Sequence, residues 1–141
     1  MHVANAHAPT PEQQMAALGR DDGQPIYMVN LLKFRDKAVY ADGRPTDLSG
    51  RKAYDLYGRA MAQMVADAGG RLIFSARVRG LLLGEVEEIW DSVAIMMYPS
   101  FKAMAAITSS PGYAEIHVHR DAGLAGQVLI ETVGPVGAAL G

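Results

Sequence analysis

The pattern of hydrophobic and polar positions first indicates a β-strand at residues 26–34, IYMVNLLKF, where polar residues enter only at Asn30 and Lys33. This segment is rich in β-forming residues and too short for a typical helix. Successive strand side chains point to opposite faces, so Met28, Asn30 and Leu32 are predicted to share one face, with Tyr27, Val29, Leu31 and Lys33 on the other. Asn30 therefore brings an amide into an apolar surface, where bonding to neighbouring backbone is the usual outcome.

A helix is predicted after a long polar connection at residues 35–50. Ser49 is placed to cap its start, and Gly69 with Gly70 marks its end. The apolar stripe at helical spacing consists of Ala53, Tyr57, Ala60, Met61, Met64 and Ala68. Tyr54 and Tyr57 lie near the start of this helix, where packing of their rings is the commoner role.

Two further strands are predicted to form a hairpin. RLIFSARVRGLLLG, residues 71–84, places Leu72, Phe74, Ala76 and Val78 on one side and Ile73, Ser75, Arg77 and Arg79 on the other. In EIWDSVAIMMY, residues 88–98, the alternation assigns one face to Trp90, Ser92, Ala94, Met96 and Tyr98.

Helical and strand signals alternate again towards the C-terminus. Ser100 is expected to cap a helix over FKAMAAITS, and the Ser110-Pro111 pair to begin another that ends at Gly123. QVLIETV, residues 127–133, reads as the last strand. We therefore predict an N-terminal arm at residues 1–24 with a short helix that has a Thr10 capping box, a domain at 25–134 and a tail at 135–141.

The order strand, helix, strand, strand, helix, strand is that of the ferredoxin-like βαββαβ fold, an α+β class. It predicts a four-stranded antiparallel sheet with both helices on one face. Because the strands carry apolar residues on both sides, a second copy is expected to cover the other face. The result would be a homodimeric α/β barrel with a cavity for a small organic ligand.

Composition narrows the function classes. The 141 residues carry 13 basic and 15 acidic side chains, a formal net charge of -2. That balance disfavours nucleic acid as a partner. The chain has no cysteine, which excludes thiolate metal sites and cysteine nucleophiles. No stretch approaches the length of a membrane span, so no membrane partner is expected and a cytoplasmic location is the expectation.

HVHR, residues 117–120, is the strongest local hint of a metal or catalytic site. On a helix, residues two apart point in very different directions, so His117 and His119 are not expected to chelate one ion. No metal site is predicted, and no cofactor. A basic cluster near a helix C-terminus complements its dipole. His119 is kept as a candidate proton shuttle, with axial haem ligation as an alternative.

The remaining candidates interrupt or line the predicted strand faces. Asn30 and Arg77 are polar residues in strands and join His119 as candidate catalytic residues. Trp90 and Tyr98 resemble either the wall of a cavity for an aromatic ligand or part of a core. Candidate ligand-binding residues are Trp90, Tyr98, Tyr54 and Arg120.

Several of these features together resemble the bacterial domain-of-unknown-function family thirteen-thirty, in the dimeric α/β-barrel superfamily. The resemblance covers roughly residues 25–133 and rests on Tyr54 with Tyr57, Gly69 with Gly70, Tyr98-Pro99-Ser100, Ser110-Pro111-Gly112-Tyr113, and Arg120. Tyr98 where shorter members carry phenylalanine, Gly112 where they carry glutamate, and the MVNLLKF and EEIWD segments indicate a distinct subgroup.

The resemblance implies a fold but no activity. Superfamily relatives include cofactor-free monooxygenases, muconolactone-type isomerases and haem-handling enzymes, and fold alone does not choose among them. Two functions are carried forward. The first is a small-molecule enzyme of the cofactor-free oxygenase or isomerase type acting in a dimeric barrel pocket; the alternative is a non-catalytic small-ligand-binding or structural homodimer.

Overall fold

The computed structural model describes residues 1–134; the predicted tail at 135–141 lies outside the described residues. Eight elements follow one another: α1 (Pro11–Gly19), β1 (Ile26–Phe34), α2 (Gly50–Asp67), β2 (Arg71–Arg77), β3 (Ser92–Tyr98), α3 (Phe101–Thr108), α4 (Pro111–Gly123) and β4 (Leu124–Val133). The predicted helix starts are confirmed, because the side chains of Thr10, Ser49, Ser100 and Ser110 each accept a hydrogen bond from the first helical turn.

The strands form one four-stranded sheet in the order β2-β3-β1-β4. All neighbouring strands run antiparallel, and β1 is central, between β3 and β4. This is the ferredoxin-like arrangement, so the predicted α+β fold is confirmed.

The main core lies between the sheet and the helices. Its fully or nearly buried residues come from β1, α2, β3 and α3: Ile26, Met28, Tyr57, Met61, Val65, Tyr98 and Ile107. Asn30 stands on the same face of β1 as Met28 and Leu32, and is therefore also directed towards the helices.

The opposite side of the sheet, here called the open face, is apolar and only partly covered. Pairing across the strands aligns Val29 with Ile95 and with Ile130, and Phe74 with Ile95. Phe74 is 50% exposed and Ile130 46% exposed. Single exposed apolar side chains are ordinary, but a contiguous set across four strands marks an interaction surface.

The hairpin differs from its prediction in two respects. A register shift between Leu72 and Phe74 interrupts the expected alternation, so Leu72 pairs with Met96 while Phe74 pairs with Ile95 on the open face. The strands are also shorter than predicted. Just before β3, the Asp91 backbone still bonds to Leu32 and Val78, while its carboxylate, in place of a backbone oxygen, accepts the Phe34 amide at 2.8 Å.

The long connection between β1 and α2 packs onto the outer ends of α2 and α4. Ala38 and Tyr40 are buried with Ala53 and Ala122 in a second small core. Its backbone is held by the hydrogen bonds Ala38 N to Leu48 O and Val39 N to Ala122 O, both 3.0 Å. The connection is therefore an integral part of the domain.

Helices α2 and α4 approach so closely that Gly123 has no room for a side chain. A Cβ added there would lie 2.8 Å from the Tyr54 amide nitrogen and 3.2 Å from the Tyr54 Cβ. We expect Gly123→Ala to lower the free energy of unfolding by about 1–3 kcal/mol through overpacking. Urea denaturation measures the change. Gly19→Ala, where an added Cβ meets nothing within 4 Å, is the control, and equal effects of both variants would contradict the packing argument.

Candidate functional site

Asn30 is the start of a polar network beneath the helices. Its Nδ2 donates to the backbone oxygens of Met28 at 3.1 Å and Ala94 at 3.2 Å, as the sequence predicted. Its Oδ1 accepts a further hydrogen bond from Gln127 Nε2 at 2.7 Å. The amide of Asn30 is thus oriented by backbone on one side and joined to β4 on the other.

The network continues from Gln127 to α4. Gln127 is buried, and its Oε1 accepts from Arg120 Nη2 at 2.8 Å. Arg120 Nη1 donates to Asp121 Oδ1 at 3.1 Å, and His117 Nδ1 lies 3.0 Å from Asp121 Oδ2. We call Asn30, Gln127, Arg120, Asp121 and His117 the polar network; it runs from the middle of the sheet to the surface of α4.

Charge in this network is unevenly buried. The Arg120 side chain is 16% exposed, whereas that of Asp121 is 44% exposed. A guanidinium that is mostly removed from water needs hydrogen-bond partners, and Gln127 supplies a neutral one. Because Gln127 is neutral, it does not cancel the Arg120 charge, and that charge also acts on the nearby Tyr54.

Four tyrosines gather beside the polar network: Tyr54, Tyr57, Tyr98 and Tyr113, here called the tyrosine cluster. The rings of Tyr54 and Tyr57 are 5.3 Å apart, and those of Tyr57 and Tyr113 are 6.0 Å apart in an edge-on contact. The hydroxyls of Tyr57 and Tyr113 lie 3.4 Å from each other. Helices α2 and α4 and strand β3 thus direct phenol groups into one region.

Burial raises the pKa of three of these phenols. It raises the pKa of Tyr54 to about 12, against the opposing effect of the Arg120 charge. Burial also raises the pKa of Tyr57 and that of Tyr98 well above the usual value, and the neighbouring tyrosines add to both shifts. The hydroxyls therefore stay protonated in neutral solution and are available as hydrogen-bond donors.

His117 connects the polar network with the tyrosine cluster. Its ring stacks on that of Tyr113 with 5.9 Å between centroids and an interplanar angle of 7°. When Nδ1 carries the proton towards the Asp121 carboxylate, Nε2 of a neutral ring keeps its lone pair and can accept a proton. This arrangement suits a general base.

The structure brings together four of the residues selected from the sequence and separates the other three. Asn30, Tyr54, Tyr98 and Arg120 lie in or beside the polar network and tyrosine cluster. His119 Nδ1 is instead 2.6 Å from the hydroxyl of Tyr40 in the β1–α2 connection. Trp90 Nε1 donates to Asn5 at 2.8 Å, and Arg77 is exposed at the end of β2.

Sequence reasoning did not select Gln127, Tyr113 or the His117–Asp121 pair. Four-residue spacing on a helix could have indicated the His117–Asp121 contact. Gln127 gave no local signal, because its partner Asn30 is 97 positions away in the chain.

Within residues 1–134, no group of three His, Asp or Glu side chains is placed to hold a metal ion. No helix there has both the length and the apolar character to cross a membrane.

A four-stranded antiparallel sheet in this order, with its helices on one face, defines a ferredoxin-like α+β protein. The chain belongs to the family described as Domain of unknown function (DUF1330), which matches residues 39–133. The resemblance inferred from the tyrosine, glycine and Ser-Pro signatures is thereby confirmed, and no specific activity is established for the family.

Solved structures agree with this assignment. The RPA0582 protein of unknown function from Rhodopseudomonas palustris is 30% identical, with a TM-score of 0.81 over 94% of this chain and 100% of that chain. The methylated RPA0582 protein is 32% identical, with a TM-score of 0.82 over 95% and 99%. A hydroxynitrile lyase from Passiflora edulis shares only the fold, at 11% identity and a TM-score of 0.52 over 80% and 96%. No functionally curated protein matches the chain.

The raised pKa of Tyr54 predicts a loss of stability in alkali. The unfolded state ionises at the ordinary tyrosine value of 10.0, whereas the folded state holds the proton to about 12. The free energy of unfolding should therefore fall as the pH rises through this window. Urea denaturation across the window should give a shallower fall for Tyr54→Phe than for the natural protein. Equal slopes would show that Tyr54 is not held in its neutral form by the fold.

Proposed function

We propose that the protein is a small-molecule enzyme that transfers protons without a cofactor, as in the isomerase type. The observation that carries this proposal is a mostly buried Arg120 close enough to the tyrosine cluster for its charge to act on Tyr54, with the His117–Asp121 pair at the outer end of the polar network. A cation, several neutral phenol donors and an oriented imidazole are the components of proton abstraction next to a carbonyl group.

Each component has a distinct part in the proposed reaction. His117 Nε2 removes a proton from carbon, and Asp121 stabilises the imidazolium that results. Negative charge develops on the substrate oxygen, where Arg120 and the hydroxyls of Tyr54 and Tyr113 stabilise it. Low-dielectric surroundings strengthen these interactions. Asn30 and Gln127 orient Arg120 through their hydrogen bonds, and the buried Tyr98 packs on the core side of the cluster.

The proposed substrate is a small organic compound with an enolisable carbonyl. The aromatic walls of the tyrosine cluster favour a flat or unsaturated molecule, because phenol rings offer apolar area as well as a polar end. Arg120 favours a substrate oxygen that carries or develops negative charge.

We propose further that the active form is a homodimer formed through the open face. Apolar side chains from all four strands lie there: Val29 and Ile95 are half-buried, and Phe74 and Ile130 are exposed. A second sheet packed against it would bury this surface and rigidify the strands that carry Asn30 and Gln127.

If the homodimer forms through the open face, a charged side chain placed on that face should prevent association. Phe74→Lys should shift the protein to the monomer mass in analytical ultracentrifugation, because a lysine cannot be buried there without a partner. Leu56→Lys is the control, since Leu56 lies on α2 and is 44% exposed, close to the 50% of Phe74. A natural protein that sediments as a monomer would refute the dimer.

Removal of the Arg120 charge should abolish most of the proposed activity. We expect Arg120→Gln to lower kcat/KM by about 10²–10³-fold, by analogy with the loss of one oxyanion donor. The assay is exchange of carbon-bound hydrogen for deuterium, followed by NMR over a panel of 1,3-dicarbonyl compounds and 2-oxo acids. Arg59→Gln, at an exposed position of α2, controls for the loss of a positive charge.

The outcomes of this assay separate the candidate functions. Exchange that requires Arg120 and His117 supports the proton-transfer enzyme, and oxygen uptake with the same compounds would assign the oxygenase type. Binding of a panel member without exchange or oxygen uptake would overturn the enzyme and favour a non-catalytic ligand-binding homodimer.

A further inference from the structure

The first nine residues form an extended leading segment whose side chains are exposed. Its backbone nevertheless pairs with β4 at one position: Ala6 N donates to Gln127 O at 3.0 Å, and Gln127 N donates to Ala6 O at 3.1 Å. This reciprocal exchange is the hydrogen-bonded pair of an antiparallel ladder. The leading segment thus binds the outer edge of the sheet at the residue whose side chain joins Asn30 to Arg120.

The adjacent residue of the segment is held by two independent contacts. Asn5 Oδ1 accepts a hydrogen bond from Trp90 Nε1 at 2.8 Å. Asn5 also lies against Gly126, where an added Cβ would come within 2.6 Å of the Asn5 Cβ. Gly126 therefore permits the close approach, and Trp90 ties the segment to the chain that leads into β3.

The sheet is irregular at this position. Lys33 pairs with Gly126, but Phe34 pairs with Leu124, so the register between β1 and β4 skips Ala125, two residues before Gln127. Such a bulge locally weakens the ladder. Because the backbone N–H and C=O of Gln127 point outward to Ala6, they are not available to β1, and the leading segment is their protein partner.

We propose that the leading segment is a strap that positions Gln127, and through it Arg120 and Asn30, for the proton transfer proposed above. Asn5 and Trp90 act as positioning residues that fasten the strap, and neither contacts the polar network directly. This inference rests on the proposed function for its catalytic consequence, but its structural content can be tested without a substrate.

The first test measures the polar network itself by NMR. Removal of residues 2–9 leaves Thr10 and its capping box in place. We expect the Gln127 backbone amide to exchange with solvent about tenfold faster or more, because local opening exposes it. The side-chain signals of Gln127 Nε2 and Arg120 should move as well. Unchanged Gln127 and Arg120 side-chain signals in a folded truncated protein would overturn the proposal.

Point variants test the fastening contact with the strap present. Asn5→Ala and Trp90→Phe each remove one partner of the 2.8 Å hydrogen bond and should produce the same signal shifts at Gln127 and Arg120. Asn5→Asp retains an acceptor, so its Gln127 and Arg120 signals should remain at the positions of the natural protein. His2→Ala, at an exposed position, should also leave these signals unchanged. If neither Asn5→Ala nor Trp90→Phe shifts the Gln127 and Arg120 signals, the proposal would also be overturned.

The catalytic consequence is a separate measurement. If the deuterium-exchange activity is present, strap removal should lower kcat with little change in KM, because the strap orients a group that acts in the transition state. If strap removal leaves the Gln127 and Arg120 NMR signals unchanged, the strap is refuted. If the natural protein shows no deuterium exchange, the proposed function is refuted. The two failures are therefore distinguishable.

Discussion

Burial of the Asn30 amide under the helices is the constraint on which the site depends. A polar group that leaves water must find partners, and a half-satisfied one is costly. Backbone oxygens satisfy the Asn30 nitrogen, while its oxygen requires the Gln127 side chain from the neighbouring strand. The Gln127 side-chain oxygen in turn accepts a hydrogen bond from Arg120 on α4. The Asn30 amide in β1 is thereby linked by hydrogen bonds to Gln127 on β4 and, through it, to Arg120 on α4.

The close approach of α2 and α4 makes this linkage geometrically feasible. Gly123 at the end of α4 packs against the α2 backbone at Tyr54, so the two helices hold their tyrosines near one another. Burial raises the pKa of the two phenols on α2, Tyr54 and Tyr57, so both stay neutral. Packing and electrostatics therefore act together: the contact that excludes water also sets the protonation state of the groups that remain inside.

The two faces of the sheet serve different purposes. The face under the helices combines an apolar core with the polar network and the tyrosine cluster. The open face is apolar over most of its area, and its charged groups lie towards one end, where Lys33 pairs with Glu88 at 3.3 Å and with Asp91 at 3.6 Å. A protein of this size that covers one sheet face with helices retains the other for an additional layer.

The sequence by itself determined the order and type of the elements. The short run of β-forming residues in β1, the Ser caps before α2, α3 and α4, and the Thr10 capping box are local signals. They act within a few residues, so they can be recognised without knowledge of the fold. The ferredoxin-like topology follows from that order. The exact pairing of the hairpin could not be predicted from the sequence. The register shift at Ile73 and the hydrogen bond from the Phe34 amide to the Asp91 carboxylate both depend on contacts with neighbouring strands.

The tertiary structure alone decided which candidate residues meet. Asn30, Tyr54, Tyr98 and Arg120 come together, while His119 turns to Tyr40 and Trp90 to Asn5. Strand alternation could assign Asn30 to a face, but it could not name Gln127 as its partner. That pairing depends on the register between β1 and β4, and register is a property of the assembled sheet.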